Sequence, residues 1–388
     1  MRRARPRGAT LALLTVAAVG PVLYPVWLAL RTRRLPDPVP PEPREWPPLT
    51  VVIPAYRERA VIVDKIQNTL DNGYPGPLEV VVVAEDAETS SAARATAAHV
   101  VADTGRRGKA GALNLGLAES DTPIVVLTDA NTTLQPGALA KLVRWFDEPS
   151  IGAVAGEKRI AGQNGDHAYW SFESWLKRRE WRTGTTIGIG GEIVALRRMD
   201  FRSLPEDVVV DDLWIAMDLS ERGRRVAYDP EVSTYEEPSP DLGTEWERRT
   251  RVVAGTIDAI WRRRGLLVPG TNPVAGQLWG HRLVRSSLGP LAHALLLPVA
   301  LRSARHSLLA RAFLGVHAFA SISLLRRARG AELEGAAAVT AQVLFLQAVG
   351  VGGTLRWARG DRPALWPKPE REQHTSARDG EGAEVRRV

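Results

Sequence analysis

Cysteine is absent from the 388 residues. Without a thiol there is no disulfide framework, no thiol nucleophile and no zinc–thiolate centre. His99, His167 and His281 lack ligand-like spacing and read as structural residues. A basic nucleic-acid groove is missing too, although the net charge is +7. The seven arginines Arg2, Arg3, Arg5, Arg7, Arg31, Arg33 and Arg34 lie within the first 34 residues, which hold no acid. The remainder balances 44 basic against 44 acidic residues, so the excess is a membrane-flank signature and no nucleic-acid partner is expected. No internal repeat is evident.

Long apolar runs are present. Leu11 to Leu30 is apolar for about 20 residues with Arg on both sides, enough to cross a hydrocarbon core of about 30 Å. Pro25, Trp27 and Arg31 stand where a signal peptidase would need small residues, so the run is expected to be a retained anchor. Seven of the thirteen residues from Pro36 to Pro48 are Pro, which predicts a stiff extended spacer. Further apolar stretches cover Leu288–Leu301, Leu308–Leu325 and Gly335–Leu355. The last is a clean span; the first two are short or carry Arg311, leaving a buried helical hairpin as their alternative. The expected organisation is an anchor over 1–30, a linker over 31–48, a catalytic domain over 49–265, an interfacial connector over 266–287, membrane helices over 288–356 and a disordered tail over 357–388.

Within the core, short apolar runs alternate with helical patterns, the mark of an α/β fold with a mostly parallel sheet. Strands are predicted at Leu49–Ile53, Leu78–Ala84, Ile124–Thr128 and Ile151–Ala155, and helices at Arg57–Leu70, Ala110–Ala118 and Pro136–Phe146. Ligands of such sheets gather beyond the carboxyl ends of strands. Three polar clusters fall there: Pro54 to Glu58, Glu85-Asp86, and Asp129-Ala130-Asn131. Oxygens two residues apart at a strand mouth point to the same side, so Asp129 and Asn131 are candidate ligands of one divalent ion. With the later pair Asp211-Asp212 and the membrane stretches, this points to chemistry on a phosphorylated donor at a bilayer.

The order Val51-Val52-Ile53-Pro54-Ala55-Tyr56-Arg57-Glu58, Val83-Ala84-Glu85-Asp86, Gly108-Lys109-Ala110-Gly111-Ala112-Leu113-Asn114 and Thr128-Asp129-Ala130-Asn131 resembles the inverting family 2 glycosyltransferases. It continues with Gly190-Gly191-Glu192, Val210-Asp211-Asp212-Leu213 and Arg248-Arg249-Thr250-Arg251-Val252. Those enzymes are membrane-bound relatives of cellulose and hyaluronan synthases with a GT-A nucleotide-sugar fold. The resemblance implies a hexosyltransferase, with Pro54, Tyr56, Glu58 and Asp86 at base and ribose, and Lys109 at the donor phosphates. It implies Mg2+ or Mn2+ on Asp129 and Asn131, an acceptor loop at Gly190 and Gly191, and Asp212 as the base beside Asp211. Arg248 and Arg251 would face diphosphate or acceptor from a helix whose other face carries Trp246, Thr250, Val253, Ile257, Ile260 and Trp261.

Two departures stand out. Asn131 replaces a carboxylate, and Arg248 and Val252 replace the Gln and Trp of the processive Gln-x-x-Arg-Trp motif, which puts long-chain processivity in doubt. The implied partners are a nucleotide-sugar donor (UDP-linked), a glycan or lipid-linked acceptor, membrane lipids, and polysaccharide synthesis or export proteins. The catalytic domain is expected on the cytoplasmic side of a multi-pass cell-membrane protein. A polyprenyl-phosphate glycosyltransferase and an inactive scaffold of a synthesis complex are the alternatives. With one formal charge at the clip, metal is expected to bind weakly alone and well with nucleotide; a titration showing tight binding to the nucleotide-free protein would refute this.

Overall fold

The computed structural model describes residues 7–103, 105–160, 165–236, 239, 241–361 and 365. An eight-stranded sheet runs in the order β3-β2-β1-β4-β7-β6-β8-β5, with β1 Leu49–Ala55, β2 Leu78–Ala84, β3 His99–Ala102, β4 Ile124–Thr128, β5 Thr133–Leu134, β6 Ile151–Ile160, β7 Ile193–Arg197 and β8 Arg225–Glu236. β1, β2, β3 and β4 are mutually parallel, as are β6 and β8. β7 is antiparallel to β4 and β6, and β5 to β8. The Val- and Ile-rich runs of β1, β2 and β4 are buried on both faces, as expected of strands sandwiched between helices.

The predicted strand Leu78–Ala84 and the predicted strand Ile124–Thr128 coincide with β2 and β4. Helix starts differ. The helix expected from Arg57 begins at Ile62, because Arg57 takes a left-handed backbone (φ 54°) and the intervening residues form a loop. The one expected from Pro136 to Phe146 is α-helical over Ala138–Val143 and tightens over Arg144–Asp147, after Gly137 at φ 73°. β3, β5, β7 and β8 were not predicted, being short or interrupted.

Among the described residues four helices are long and apolar enough to cross a membrane: Gly8–Thr32, Ala275–Ser303, Leu308–Ala328 and Gly335–Ala358. The expected boundary between connector and apolar helices differs: the segment foreseen as a connector over 266–287 already belongs to the Ala275–Ser303 helix from Ala275 on. The Pro-rich spacer has no regular structure, and it is pinned by Asp37 to Arg178 and Arg182 and by the Tyr74 hydroxyl, which donates to Pro47 at 2.6 Å. The expected disordered tail lies outside the described residues from 366 onward.

A buried polar knot joins two of these apolar helices to the Gly165–Arg182 helix. His281, fully buried, lies between Glu180 (2.7 Å) and Glu173 (2.9 Å) of the Gly165–Arg182 helix. Tyr24 and Thr186 donate to the same Glu180 at 2.8 and 2.7 Å. His281 is thus structural, as is the exposed His99 beside Glu119; the side chain of His167 is outside the described set.

The Leu242–Arg262 helix packs on the last membrane helix, with Val253 and Ile257 against Phe345 and Val349. A Cβ on Gly353 would meet Val253 Cβ at 2.5 Å and the Thr250 carbonyl at 2.8 Å, so the two helices touch backbone to backbone. Gly353→Leu is expected to force them apart at a cost of about 1–3 kcal/mol, lowering the thermal midpoint in detergent. Gly315→Leu, at a position with open space around it, should leave the midpoint unchanged. Equal midpoints for both variants would refute the close contact.

Candidate active site

The site lies where β1, β2 and β4 end. Antiparallel pairing of Thr128 with Ile193 sets Asp129, just past β4, beside Glu192, just before β7. The Thr128 hydroxyl donates to the Glu192 carbonyl at 2.7 Å and fixes that approach. Lys109 enters from the first turn of the Gly108–Ala118 helix, whose Gly108 N–H donates to Glu85 at the end of β2 (2.8 Å).

Lys109 Nζ stands 2.8 Å from Asp129 Oδ1 and 3.4 Å from Asp211 Oδ2. One ammonium therefore ties the β4 end to the Asp211–Glu221 helix. Burial works against the charged lysine, yet Asp129, Asp211 and Asp212 together hold its pKa above the ordinary lysine value. Asp212 follows directly, its Oδ1 accepting the Leu213 N–H at 2.7 Å. Burial, then the charge of Asp211, pushes the Asp212 carboxyl up to about 6, against the opposing charges of Arg282 and Lys109. Val210 occupies the cap position of this helix without a side-chain bond, and Asp211 turns to Lys109.

Asn131 lies one turn from Asp129 but donates its amide to Glu236 at 3.1 Å. Glu236 in turn holds Lys158, which also bonds Glu192 at 2.7 Å. The two clip residues thus answer to different neighbours, Asp129 to Lys109 and Asn131 to Glu236. An amide bonded through its nitrogen keeps a carbonyl oxygen as a candidate metal ligand. Burial is outweighed at Glu192 by Lys158, which holds its carboxyl down at about 2. Lys158, Glu192 and Glu236 are site residues that sequence reasoning missed. Glu192 stood inside a quoted motif, whereas Lys158 and Glu236 lie near the ends of the paired strands β6 and β8, of which β6 runs past its predicted end and β8 was not predicted.

At the β1–β2 mouth the Tyr56 ring is flanked by the guanidinium groups of Arg106 (4.5 Å) and Arg57 (5.4 Å). Asp86 caps the Ala87–Arg94 helix through Thr89 N (2.9 Å) and accepts the Arg57 N–H at 2.6 Å. Burial opposes it, but these N–H donors hold its carboxyl below the usual range. Pro54 precedes them within β1. Glu58 departs from the expected ribose contact: it is 1% exposed, and its carbonyl accepts the N–H groups of Val61 and Ile62 at the start of a helix.

The glycines line the site. A Cβ on Gly191 would come within 2.6 Å of Lys109 Nζ, and one on Gly190 within reach of the Glu192 carboxylate. Arg251, half-buried on the Leu242–Arg262 helix, is lowered to about 10 by partial burial, a fall that the nearby charge of Asp211 limits. Arg248 pairs with Glu245 at 2.9 Å and feels the charges of Glu236 and Glu192. Among the described residues no cluster of three or more His, Asp or Glu is arranged as a complete metal site. The hard-oxygen donors Asp129 and Asn131 fit a divalent ion that takes its remaining ligands from diphosphate and water.

A strand order of this kind, carrying an acidic strand end opposite an acidic helix start, defines a glycosyltransferase of the GT-A fold. The chain belongs to the family described as Glycosyltransferase like family 2, which its residues 47–255 match. The poly-beta-1,6-N-acetyl-D-glucosamine synthase of Staphylococcus aureus (strain COL) is 24% identical over 230 residues, covering 55% of this chain and 56% of that protein. The Staphylococcus epidermidis synthase is 20% identical over 236 residues with the same shares. The chain therefore spans about half the length of these curated relatives. The solved structure of mannosyltransferase PcManGT from Pyrobaculum calidifontis, in complex with GDP-Man and Mn2+, has a TM-score of 0.72 at 28% identity and covers 90% of this chain and 97% of that one.

Beneath the site Lys65, 3% exposed, donates to Thr128 Oγ1 (2.9 Å) and to the Thr132 carbonyl (2.8 Å), bracing the Asp129 turn. Burial pulls its pKa down to about 7, a fall that the charge of Asp129 limits. Between pH 7 and 10 the unfolded chain thus holds a proton here that the folded one has lost, and this term makes stability rise with pH. In denaturant titrations the stability of the wild type relative to Lys65→Met is expected to increase across that window. A constant difference would refute the lowered pKa of Lys65.

Proposed function

We propose that this chain is a membrane-bound inverting glycosyltransferase that moves a sugar from a nucleoside-diphosphate sugar to a glycan or lipid-linked acceptor. The observation that carries the reading is the Lys109 bridge, which puts the donor-side Asp129 and the Asp211-Asp212 pair in one site. Asp212 takes the proton of the acceptor hydroxyl as its oxygen bonds to the anomeric carbon. The opposite bond to phosphate breaks, and its electron pair leaves with the nucleoside diphosphate. Asp129 and Asn131 would hold a divalent ion, Mg2+ or Mn2+, whose charge would neutralise that leaving group. Lys109, Arg248 and Arg251 face the phosphates or the acceptor, Tyr56 and Asp86 the nucleobase, and Gly190 and Gly191 the acceptor's approach. Pro54 shapes the donor mouth. The ribose contact of Glu58 is not carried forward, since its carboxylate is turned inward.

A UDP-linked donor follows the family resemblance and the polysaccharide synthases among the relatives, whereas PcManGT is named with GDP-Man. The four apolar helices support a multi-pass place in the cell membrane with the catalytic domain on the cytoplasmic side, where activated sugars are made. Polysaccharide synthesis or export proteins would be its partners there.

A polyprenyl-phosphate acceptor is the second reading. It is favoured by the positive field of Arg282 at Asp212, which suits an acceptor that is itself an anion.

Purified full-length protein is expected to release nucleoside diphosphate from one member of a panel of UDP- and GDP-linked hexoses, with Mg2+ or Mn2+ required. Because the base works only without its proton, the rate should rise with pH through about 6 and level above it. Asp212→Asn should lower kcat at least about 100-fold while donor binding persists. Turnover surviving in that variant with a lipid phosphate would favour the second reading, and no release from any donor would refute both.

A further inference from the structure

Lys109 does more than await a phosphate. Its ammonium is already coordinated by carboxylate oxygens of Asp129 and Asp211, at 2.8 and 3.4 Å, in the manner of a bound cation. Asp129 is also the one carboxylate of the proposed metal clip, so lysine and metal compete for the same oxygen. The other nearby cations cannot take that role. The Lys65 ammonium is spent on Thr128 and Thr132, while Arg251 and Arg282 act on the Asp211-Asp212 side. Room for movement lies beside the ammonium: Gly191 has no side chain, and a methyl group there would stand 2.6 Å from Nζ. Lysine is a compact charge on a flexible stem, able to change partners by rotation.

We propose that Lys109 is a tethered counter-ion that occupies the cation place beside Asp129 in the free enzyme and yields it when a donor diphosphate arrives, so that metal and donor enter together. The inference rests on the metal-assisted donor site proposed above. The donor's phosphates offer the ammonium new anionic partners and supply the oxygens that complete the ion's coordination. The lysine's positive charge would then balance Asp129 until the metal arrives.

The test is Mn2+ binding, read from the loss of the free-ion paramagnetic resonance signal, on purified full-length protein with and without UDP or GDP. Wild-type protein should bind Mn2+ weakly alone and more tightly with one nucleotide. Lys109→Met should bind Mn2+ roughly tenfold or more tightly in the absence of nucleotide, since a like charge has left the ligand. Gly191→Ala keeps the lysine but crowds it away from Asp129, and should shift nucleotide-free binding in the same direction. Asp129→Asn should abolish binding in every background. If the wild type shows nucleotide-dependent binding while both Lys109→Met and Gly191→Ala bind metal no better without nucleotide, the counter-ion inference is overturned and the donor site stands. If the wild type binds no Mn2+ with either nucleotide, the metal-site reading falls with it.

Discussion

The contact on which the site depends is the ammonium of Lys109 set between Asp129 and Asp211. Three carboxylates so close together would repel one another in a crowded pocket, and each would drift towards its neutral form. At Asp129 burial raises the carboxyl's pKa and the lysine opposes that rise, while the Asp212 carboxyl beside the bridge is pushed up to about 6. Two acids in sequence thus acquire different tasks from their surroundings. The same bridge fixes the distance between the end of β4 and the helix that begins at Asp211, the two sides between which donor and acceptor must meet.

A second network gives the site its outer wall. Lys158 joins Glu192 to Glu236, and Glu236 holds the amide of Asn131. The strand ends of β6, β7 and β8 are therefore tied to the turn after β4 by charge-assisted bonds, which hold geometry better than neutral ones. Behind this wall the Leu242–Arg262 helix carries Arg248 and Arg251 inward, while its opposite face rests on the last membrane helix at Gly352 and Gly353. The His281 knot ties the segment around Thr186 to the Ala275–Ser303 helix through Glu180.

The sequence was legible where one physical signal dominated. Continuous Val and Ile runs bounded by turns gave β2 and β4, and Pro54, Asp86 and Asp129 fell at strand ends because loops of an α/β sheet begin there. The Trp246 to Trp261 stripe was readable as a buried face, though not whether core or membrane helix covered it. Long-range pairing was unreadable. β7 is five residues behind a glycine turn, and nothing in Ile193–Arg197 announces that it runs antiparallel between β4 and β6. Without that pairing Glu192 has no address, and neither does the network of Lys158 and Glu236. The burial of Glu58 was unreadable for a related reason: it depends on neighbours brought up by the fold and not on the motif.

By itself the sequence determined the chemistry available: no thiol, two acidic clusters, a basic glycine loop and enough apolar length to cross a membrane. Composition and local pattern suffice for these, because each depends on residues adjacent in the chain. Which acid meets which base was decided by tertiary structure alone. Lys109, Asp129 and Asp211 are separated by 20 to 102 positions and become partners only when β4 and two helix starts converge. Charges gain their meaning from distance and burial, and neither exists until the chain is folded.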